Sequence, residues 1–327
     1  MALTVFSFTI REKTRFSFTS SNSSFTDSMI TYNTFRFSNS QNNDNSPLCS
    51  VNDLGTHNTI CNISKHNTLD NYNVCKFEFC SFIDVSSGTT NGGAIAYFRT
   101  QTTASGTSLS ITTCFFFSCT AITANPATSG GGVAVMYVST VTISSCLFKL
   151  CDGAGSGGVF LQHITQQPSI SDCTFYSCRC TQTGAGAYVG YSTLAVSPIF
   201  CTTCSFLSCK ELHNSGDTLS GGGFSLCSSA ADKSNTIINS LFTHNHAKMG
   251  AGLKLYMQSG ITPAVKFCFF NQNTATQSGH DICLSQLQEN PLFYCFTSNP
   301  QSNRIYVYPA YKNTPTSSPT NYPNWLP

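Results

Sequence analysis

The chain has 327 residues, enough for one large domain or two ordinary ones. Only 9% of them are Asp, Glu, Lys or Arg, against about 25% in a typical soluble domain. The net charge of +2 provides no basic field for nucleic acid or an anionic membrane, so a nucleic-acid partner is excluded.

The chain opens on "MALTVFSFTIREKTRF", an apolar start with no basic n-region and no long apolar core, which makes a poor secretory signal. No later run approaches the ~18 apolar residues of a membrane span. Residues 1–70 show weak strand alternation in "TVFSFTI", "RFSFTS" and "MITYNTFRF". They read as an N-terminal cap with degenerate coils, interrupted by a loop at "NSQNNDNSP". Asn22 and Asn62 stand in Asn-x-Ser sequons and are candidate glycosylation acceptors if the chain is exported.

From residue 71 to 308 one pattern dominates. "TTCFFFSCTA" (Cys114, Phe116, Cys119) recurs as "SSCLFKLCDG" (Cys146, Phe148, Cys151), "SDCTFYSCRC" (Cys173, Phe175, Cys178) and "TTCSFLSCKE" (Cys204, Phe206, Cys209). "NSLFTHNHA" has Ser240, Phe242 and Asn245, and "KFCFFNQNT" has Cys268, Phe270 and Asn273. An earlier copy keeps Cys80 and Phe82 and ends on Val85, and a shifted relic carries Cys295, Phe296 and Asn299. An apolar residue stands three places before the first Cys: Ile111, Ile143, Ile170, Ile237 and Val265.

Each copy is followed by three mostly small residues and an alternating apolar pair, as in "GGAIAY", "GGGVAV", "SGGVFL", "GAGAYV", "GGGFSL" and "GAGLKL", with an eroded "GHDICL". Aligned, these give one apolar column through Ile95, Val133, Val159, Ala187, Phe224, Leu253 and Ile282. A second runs through Tyr97, Val135, Leu161, Val189, Leu226, Leu255 and Leu284. The residue between them varies (Ala96, Ala134, Phe160, Tyr188, Ser225, Lys254, Cys283), as on a strand with one buried face and one tolerant, outward face.

A unit of 27 to 36 residues with two short strand signals cannot bury its own apolar face. Stacked copies can, with equivalent residues in ladders about 4.8 Å apart. Helical repeats need 3.6-period faces and good helix formers, which are absent, and a propeller needs hairpin turns, of which Asn-Gly and Asp-Gly signals are nearly lacking. The expected fold is therefore all-β, a parallel β-helix of about 7 to 10 coils. In it Phe148 should stack between Phe116 and Phe175, and Gly157 and Gly158 should sit where a Cβ would crowd the backbone. Cys151 should occupy a turn position shared with Asn245 and Asn273. Residues 309–327, "NTPTSSPTNYPNWLP" included, read as a Pro-rich disordered tail.

The Gly-Gly-Ala-Ile at 92–95 and the Phe-x-x-Asn at 242–245, 270–273 and 296–299 resemble the repeat of the chlamydial-type polymorphic outer membrane proteins. Cysteine-rich versions occur among trichomonad surface proteins. The resemblance runs from about Cys75 to Asn299. It implies a right-handed, pectin-lyase-like β-helix displayed at the cell surface or secreted and acting in adhesion as a virulence factor. The chain departs from that pattern in lacking a signal peptide, an outer-membrane barrel and a transmembrane tail, so membrane association is expected only through parts absent from it.

The candidate chemistry is sparse. Cys201-x-x-Cys204 has zinc-like spacing with Cys178-x-Cys180 upstream, but Cys201 falls in the apolar column of Ile170 and Ile237, and no metal or cofactor is expected. Vertically stacked cysteines have parallel Cβ atoms slightly too far apart to bridge without distortion. The exchange of Cys for Asn at one ladder position points to mainly unpaired thiols. His244 and His246 flank Asn245 and should face solvent. His280 and Asp281 fall on the eroded Gly motif. Asp84, Asp152, Asp172 and Asp217 lie at different repeat phases, and no Arg or Lys shares a recurring column, so the paired carboxylates of glycoside hydrolysis are not in view. The expected function is non-catalytic and adhesin-like, binding a surface protein or glycan through lateral faces and loops. The alternatives are a carbohydrate-active enzyme (polysaccharide lyase or glycoside hydrolase) and an inert spacer or truncated copy.

Overall fold

The computed structural model describes residues 74–87, 92–99, 105–121, 129–166, 168–190, 199–212, 221–228, 235–257, 264–285, 292–297 and 305–308. It also describes the short strands Ser7–Ile10, Thr14–Ser17, Cys61–Ile63 and Asn67–Thr68. Asn22, Asp217, Asn299 and the tail 309–327 lie outside them. The chain divides into two units. Met1–Pro47 contains an antiparallel pair of strands in which Phe8 pairs with Phe16, and Leu48–Pro327 contains a stack of parallel coils. Every regular element among the described residues is a β-strand.

One coil shows how the repeat becomes structure. Ser108–Thr112 leads to Phe115–Phe117, then to Thr120–Ala121, and after a loop to Val133–Met136. The next coil repeats the set at Thr140–Ser144, Leu147–Lys149, Asp152–Gly153 and Val159–Gln162. Each strand pairs in parallel with its equivalent, Phe148 opposite Phe116 and Val159 opposite Val133. Strands of the first two kinds form a 15-stranded sheet, those of the third kind a 6-stranded sheet, and those of the fourth kind a 9-stranded sheet. Coils linked this way leave no unit to bury its core alone, and the fold is a parallel β-helix.

The spacing of the Cys motif follows from its corners. Within a strand, inward residues alternate, so Cys114 and Phe116 are two apart and both buried. At each corner one residue takes a left-handed conformation, Thr113 at φ 53° and Ser118 at φ 54°, and the inward spacing becomes three: Ile111 to Cys114, Phe116 to Cys119. Ser145 and Leu150, Asp172 and Ser177, and Thr203 and Ser208 repeat the pair in later coils. The bend therefore lies at Leu150 rather than at Cys151, which follows it and points inward.

The phenylalanines form one interior column. Phe82, Phe116, Phe148, Phe175, Phe206, Phe242 and Phe270 are all buried, with ring centroids 4.5–4.9 Å apart and planes within 7° of parallel. Burying such a ring contributes about 1.5–3 kcal/mol, and ring pairing adds to it. The third residue of five Gly motifs, Gly132, Gly158, Gly186, Gly223 and Gly252, makes room for this column. A Cβ on Gly158 would stand 2.7 Å from the Phe175 ring and 2.4 Å from the Gly186 carbonyl oxygen. Gly132 and Gly252 meet the rings of Phe148 and Phe270 in the same way. In the coil after Phe270, the relic motif shifts register: Phe296 pairs with Phe269, and Thr297 is the ladder partner of Phe270. No phenylalanine follows Phe270 at that register position, and Asp281 stands where the glycine would be.

Beside the rings, cysteine and asparagine perform one task. Asn245 Nδ2 donates to the Phe206 carbonyl one coil back at 2.9 Å, while its Oδ1 accepts from the Cys209 backbone N–H at 2.9 Å. The thiols occupy the same place, with Cys119, Cys151, Cys178 and Cys209 3.5–3.7 Å from the carbonyls of Phe82, Phe116, Phe148 and Phe175. In the column of first cysteines, Cys146 Sγ accepts from the Cys114 N–H at 3.4 Å, and Ser240 Oγ accepts from the Cys204 N–H at 3.2 Å. A compact donor–acceptor at a buried corner satisfies backbone groups that would otherwise be costly. Among the described residues, the cysteines form no disulfide.

Candidate functional site

The corners divide the outer surface of the long sheet into two strips. On the first strands of three or four successive coils the outward positions are hydroxyls: Ser110, Thr142 and Ser169 in one row, Thr112, Ser144, Ser171 and Thr202 in the next, with Lys76 and Glu78 before these rows and Phe200 and Ile238 after them. The hydroxyl positions are half-buried, and Ser144 Oγ donates to Thr112 Oγ1 at 3.4 Å. On the second strands the outward row runs Ile83, Phe117, Lys149, Tyr176, Leu207. Lys149 Nζ lies 5.7 Å from the Phe117 ring centroid and 5.8 Å from that of Tyr176, a cation held between two aromatic residues of the adjacent coils. Ile83 is 41% exposed, and Leu150, at the corner beside Lys149, is 40% exposed. A hydroxyl strip thus adjoins an aromatic and aliphatic strip that carries Lys149.

The tolerant column of the Gly-motif strands is not a surface. Phe160 and Tyr188 are 1% and 2% exposed, and their rings stack at 5.1 Å. They join Ala134 and Cys227 in a second apolar cluster, with Phe98, Met136 and Tyr256 packed against it. Ser225, Lys254 and Cys283 of the same column are also buried. From Ile95–Phe98 to Ile282–Ser285 the described column positions of the 9-stranded sheet are buried on both faces, so residue type varies along this column without solvent being the reason. A sheet covered on both faces loses strict alternation, and runs such as "GGVFL" carry that signal.

The ionisable groups are more ordered than their repeat phases imply. The residue after the second Cys or Asn forms an outward column on the short third strands: Thr120, Asp152, Arg179, Lys210, His246, Thr274. Arg179 and Lys210 do share a column, contrary to the expectation from sequence, with Asp152 on one side and His246 on the other. The third strand is only two residues long in most coils and has no apolar outer mark, which is why alignment by apolar residues passes over it. Burial pushes the Asp152 carboxyl above its usual range, and Arg179 offsets this in part. Burial, helped by Lys210, lowers the His246 imidazole. Glu211, on the inward side of the Lys210 strand, is buried, and its Oε2 accepts from the Lys248 backbone N–H at 2.9 Å.

A carboxyl raised in the folded state is disfavoured there when charged. Its contribution is neutral below the unfolded pKa, becomes destabilising as pH rises above that value, and levels off above the folded one. Asp152→Asn is therefore expected to raise the thermal midpoint near pH 7 and to leave it unchanged near pH 3, where both states are protonated (roughly a unit below the ~3.9 of a free Asp). Calorimetry of the two proteins at both pH values checks this. Equal midpoints near pH 7 would contradict it.

The other ionisable candidates are scattered. Asp84, Asp172 and His244 occupy exposed left-handed corners. His280 Nδ1 accepts from the Ala275 N–H at 3.0 Å, and buried Asp281 accepts from Asn273 Nδ2 at 2.9 Å, closing the asparagine ladder. Cys201 is buried in the Ile170–Ile237 column, and Cys204 Sγ lies 3.3 Å from the Thr202 carbonyl and 3.6 Å from that of Ile170. Burial and the neighbouring thiols Cys146 and Cys80 push the Cys114 thiol well up, so it is protonated sulfur rather than nucleophilic thiolate. Among the described residues, no group of three or more His, Cys, Asp or Glu gathers as a metal site, and no helix is long and apolar enough to cross a membrane. Asn62 lies in the strand Cys61–Ile63, opposite Ser81.

No protein-family model, no curated protein and no solved structure matches this chain.

Proposed function

We propose that this chain is a non-catalytic, adhesin-like protein of a cell surface or secretion, which binds a surface protein or glycan partner along the outer face of its long sheet. The observation that carries this reading is the hydroxyl strip beside the Phe117–Lys149–Tyr176 column. Hydroxyl rows supply many weak hydrogen bonds, and aromatic faces supply stacking. Repeated over successive coils, they suit avidity more than tight single-site binding. The resemblance of the repeat to polymorphic outer membrane proteins, right-handed β-helices of the pectin-lyase-like class, supports the same reading. The low charge points to binding that varies weakly with salt.

The test uses outward positions that the interior does not need. Phe117→Ser with Tyr176→Ser is expected to weaken binding to a glycan array or a cell layer about tenfold, as the loss of two aromatic contacts of ~0.5–1.5 kcal/mol each would do. Binding unchanged by the pair would contradict the face assignment. A second reading, a carbohydrate-active enzyme, draws on the Arg179–Lys210 column flanked by Asp152 and His246. Polygalacturonate and other uronates, with and without calcium, are expected to remain intact. Turnover abolished by Asp152→Asn would favour the enzyme.

A further inference from the structure

Lys254 is fully buried, a rare state for lysine. It stands on Leu253–Met257, and its register partner in the next coil is Cys283 on Ile282–Ser285, also fully buried. Lys254 Nζ is 3.1 Å from Cys283 Sγ. The stems have little freedom. A Cβ on Gly221 would come within 3.0 Å of Lys254 Cβ, and one on Gly279 within 2.9 Å of Cys283 Cβ. A nitrogen and a sulfur are thus held in contact across two coils, where bulk water does not compete for either.

We propose that Lys254 and Cys283 form an oxidative modification site, at which dioxygen converts the contact into a covalent Nζ–O–Sγ bridge. The balance is one amine, one thiol and one dioxygen giving the bridge and one water. The N–H and S–H bonds that break supply two hydrogens to the water, and new N–O and O–S bonds form. Nitrogen and sulfur each lose two electrons, and dioxygen takes all four, one oxygen atom entering the bridge and the other the water. An ammonium at the start releases one further proton. The bridge ties the Leu253–Met257 coil to the Ile282–Ser285 coil, so it acts as a reducible covalent staple between neighbouring units of the stack. Cysteine enters its reversible oxidation states at this level, and a thiol reductant restores both side chains.

The experiment is peptide mapping of the full chain, digested without reductant after exposure to air-saturated buffer, beside a sample kept anaerobic. The expected result is a linked species joining the Lys254 and Cys283 peptides. Its mass exceeds their sum by about 14 Da, one oxygen gained and two hydrogens lost, and dithiothreitol removes it. It should be absent from Cys283→Ser and from Lys254→Met. If either variant fails to fold, the oxygen and reductant dependence in the natural chain decides. Recovery of Cys283 as an unmodified thiol from the aerated sample would overturn the proposal. So would its recovery in a disulfide, lighter by about 2 Da, or as a sulfinic acid with Lys254 unmodified.

Discussion

Replacing Phe148 with alanine is expected to destabilise the coiled unit by about 3–5 kcal/mol, the range of large core truncations. The ring is fully buried, stacks at 4.5 Å on Phe116 and 4.9 Å on Phe175, and lies against Gly132, where a Cβ would come within 2.8 Å of it. Its neighbours cannot collapse into the gap, because each is fixed by the pairing of its own strand with the coils on either side. Alanine would therefore leave a cavity in mid-column as well as lose the buried area. Phe117, one residue from Phe116 on the same strand but facing out, is the internal control, and Phe117→Ala should cost about 1 kcal/mol or less. Urea unfolding of both variants checks this. Equal costs would mean that the strand's inward and outward faces have been assigned wrongly.

The second large effect separates two replacements of one thiol that share a shape and differ in charge. Cys151→Asn is expected to be tolerated and Cys151→Asp to cost several kcal/mol. Asn245 shows what an amide does at this place: it donates back to a phenylalanine carbonyl and accepts the N–H of the preceding ladder residue, which is itself a cysteine. The amide introduced by Cys151→Asn could make the same pair of bonds, to the Phe116 carbonyl and the Cys119 N–H. The ionised carboxylate introduced by Cys151→Asp has only acceptors. It would face the Phe116 carbonyl, now without a donor, as a buried charge, while the nearby cations Lys149 and Arg179 stand on the outward side of their strands. The penalty should fall at low pH as the carboxyl protonates and regains a donor. Thermal unfolding of the two variants near neutral pH reads the difference, and equal midpoints would remove the hydrogen-bond account of the ladder.

The interior is legible in the sequence because its spacing carries the corner geometry. Ile111, Cys114, Phe116 and Cys119 alternate by three, two and three. Alternation within a strand gives the two, and one left-handed residue at each corner gives the threes. Gly158 and Phe175 repeat together for a related reason: the ring occupies the space of the missing Cβ. The exterior is less legible. Phe160, Tyr188 and Lys254 vary as surface residues do, yet their column is buried, and variation in type does not report exposure. Arg179 and Lys210 escape notice as partners because a two-residue strand has too little pattern to align. The Phe117–Lys149–Tyr176 column is found by taking the residue after each inward phenylalanine, a position that the apolar alignment ignores.

At the two corner columns cysteine serves as a rung of a hydrogen-bond ladder, at positions that asparagine and serine also fill. Differential alkylation with mass mapping of Cys119, Cys151, Cys178 and Cys209 tests that most directly. The prediction is that all four resist alkylation in the folded protein and react fully as thiols once it is unfolded without reductant. Disulfides among them, or protection that persists in denaturant until a chelator is added, would contradict it.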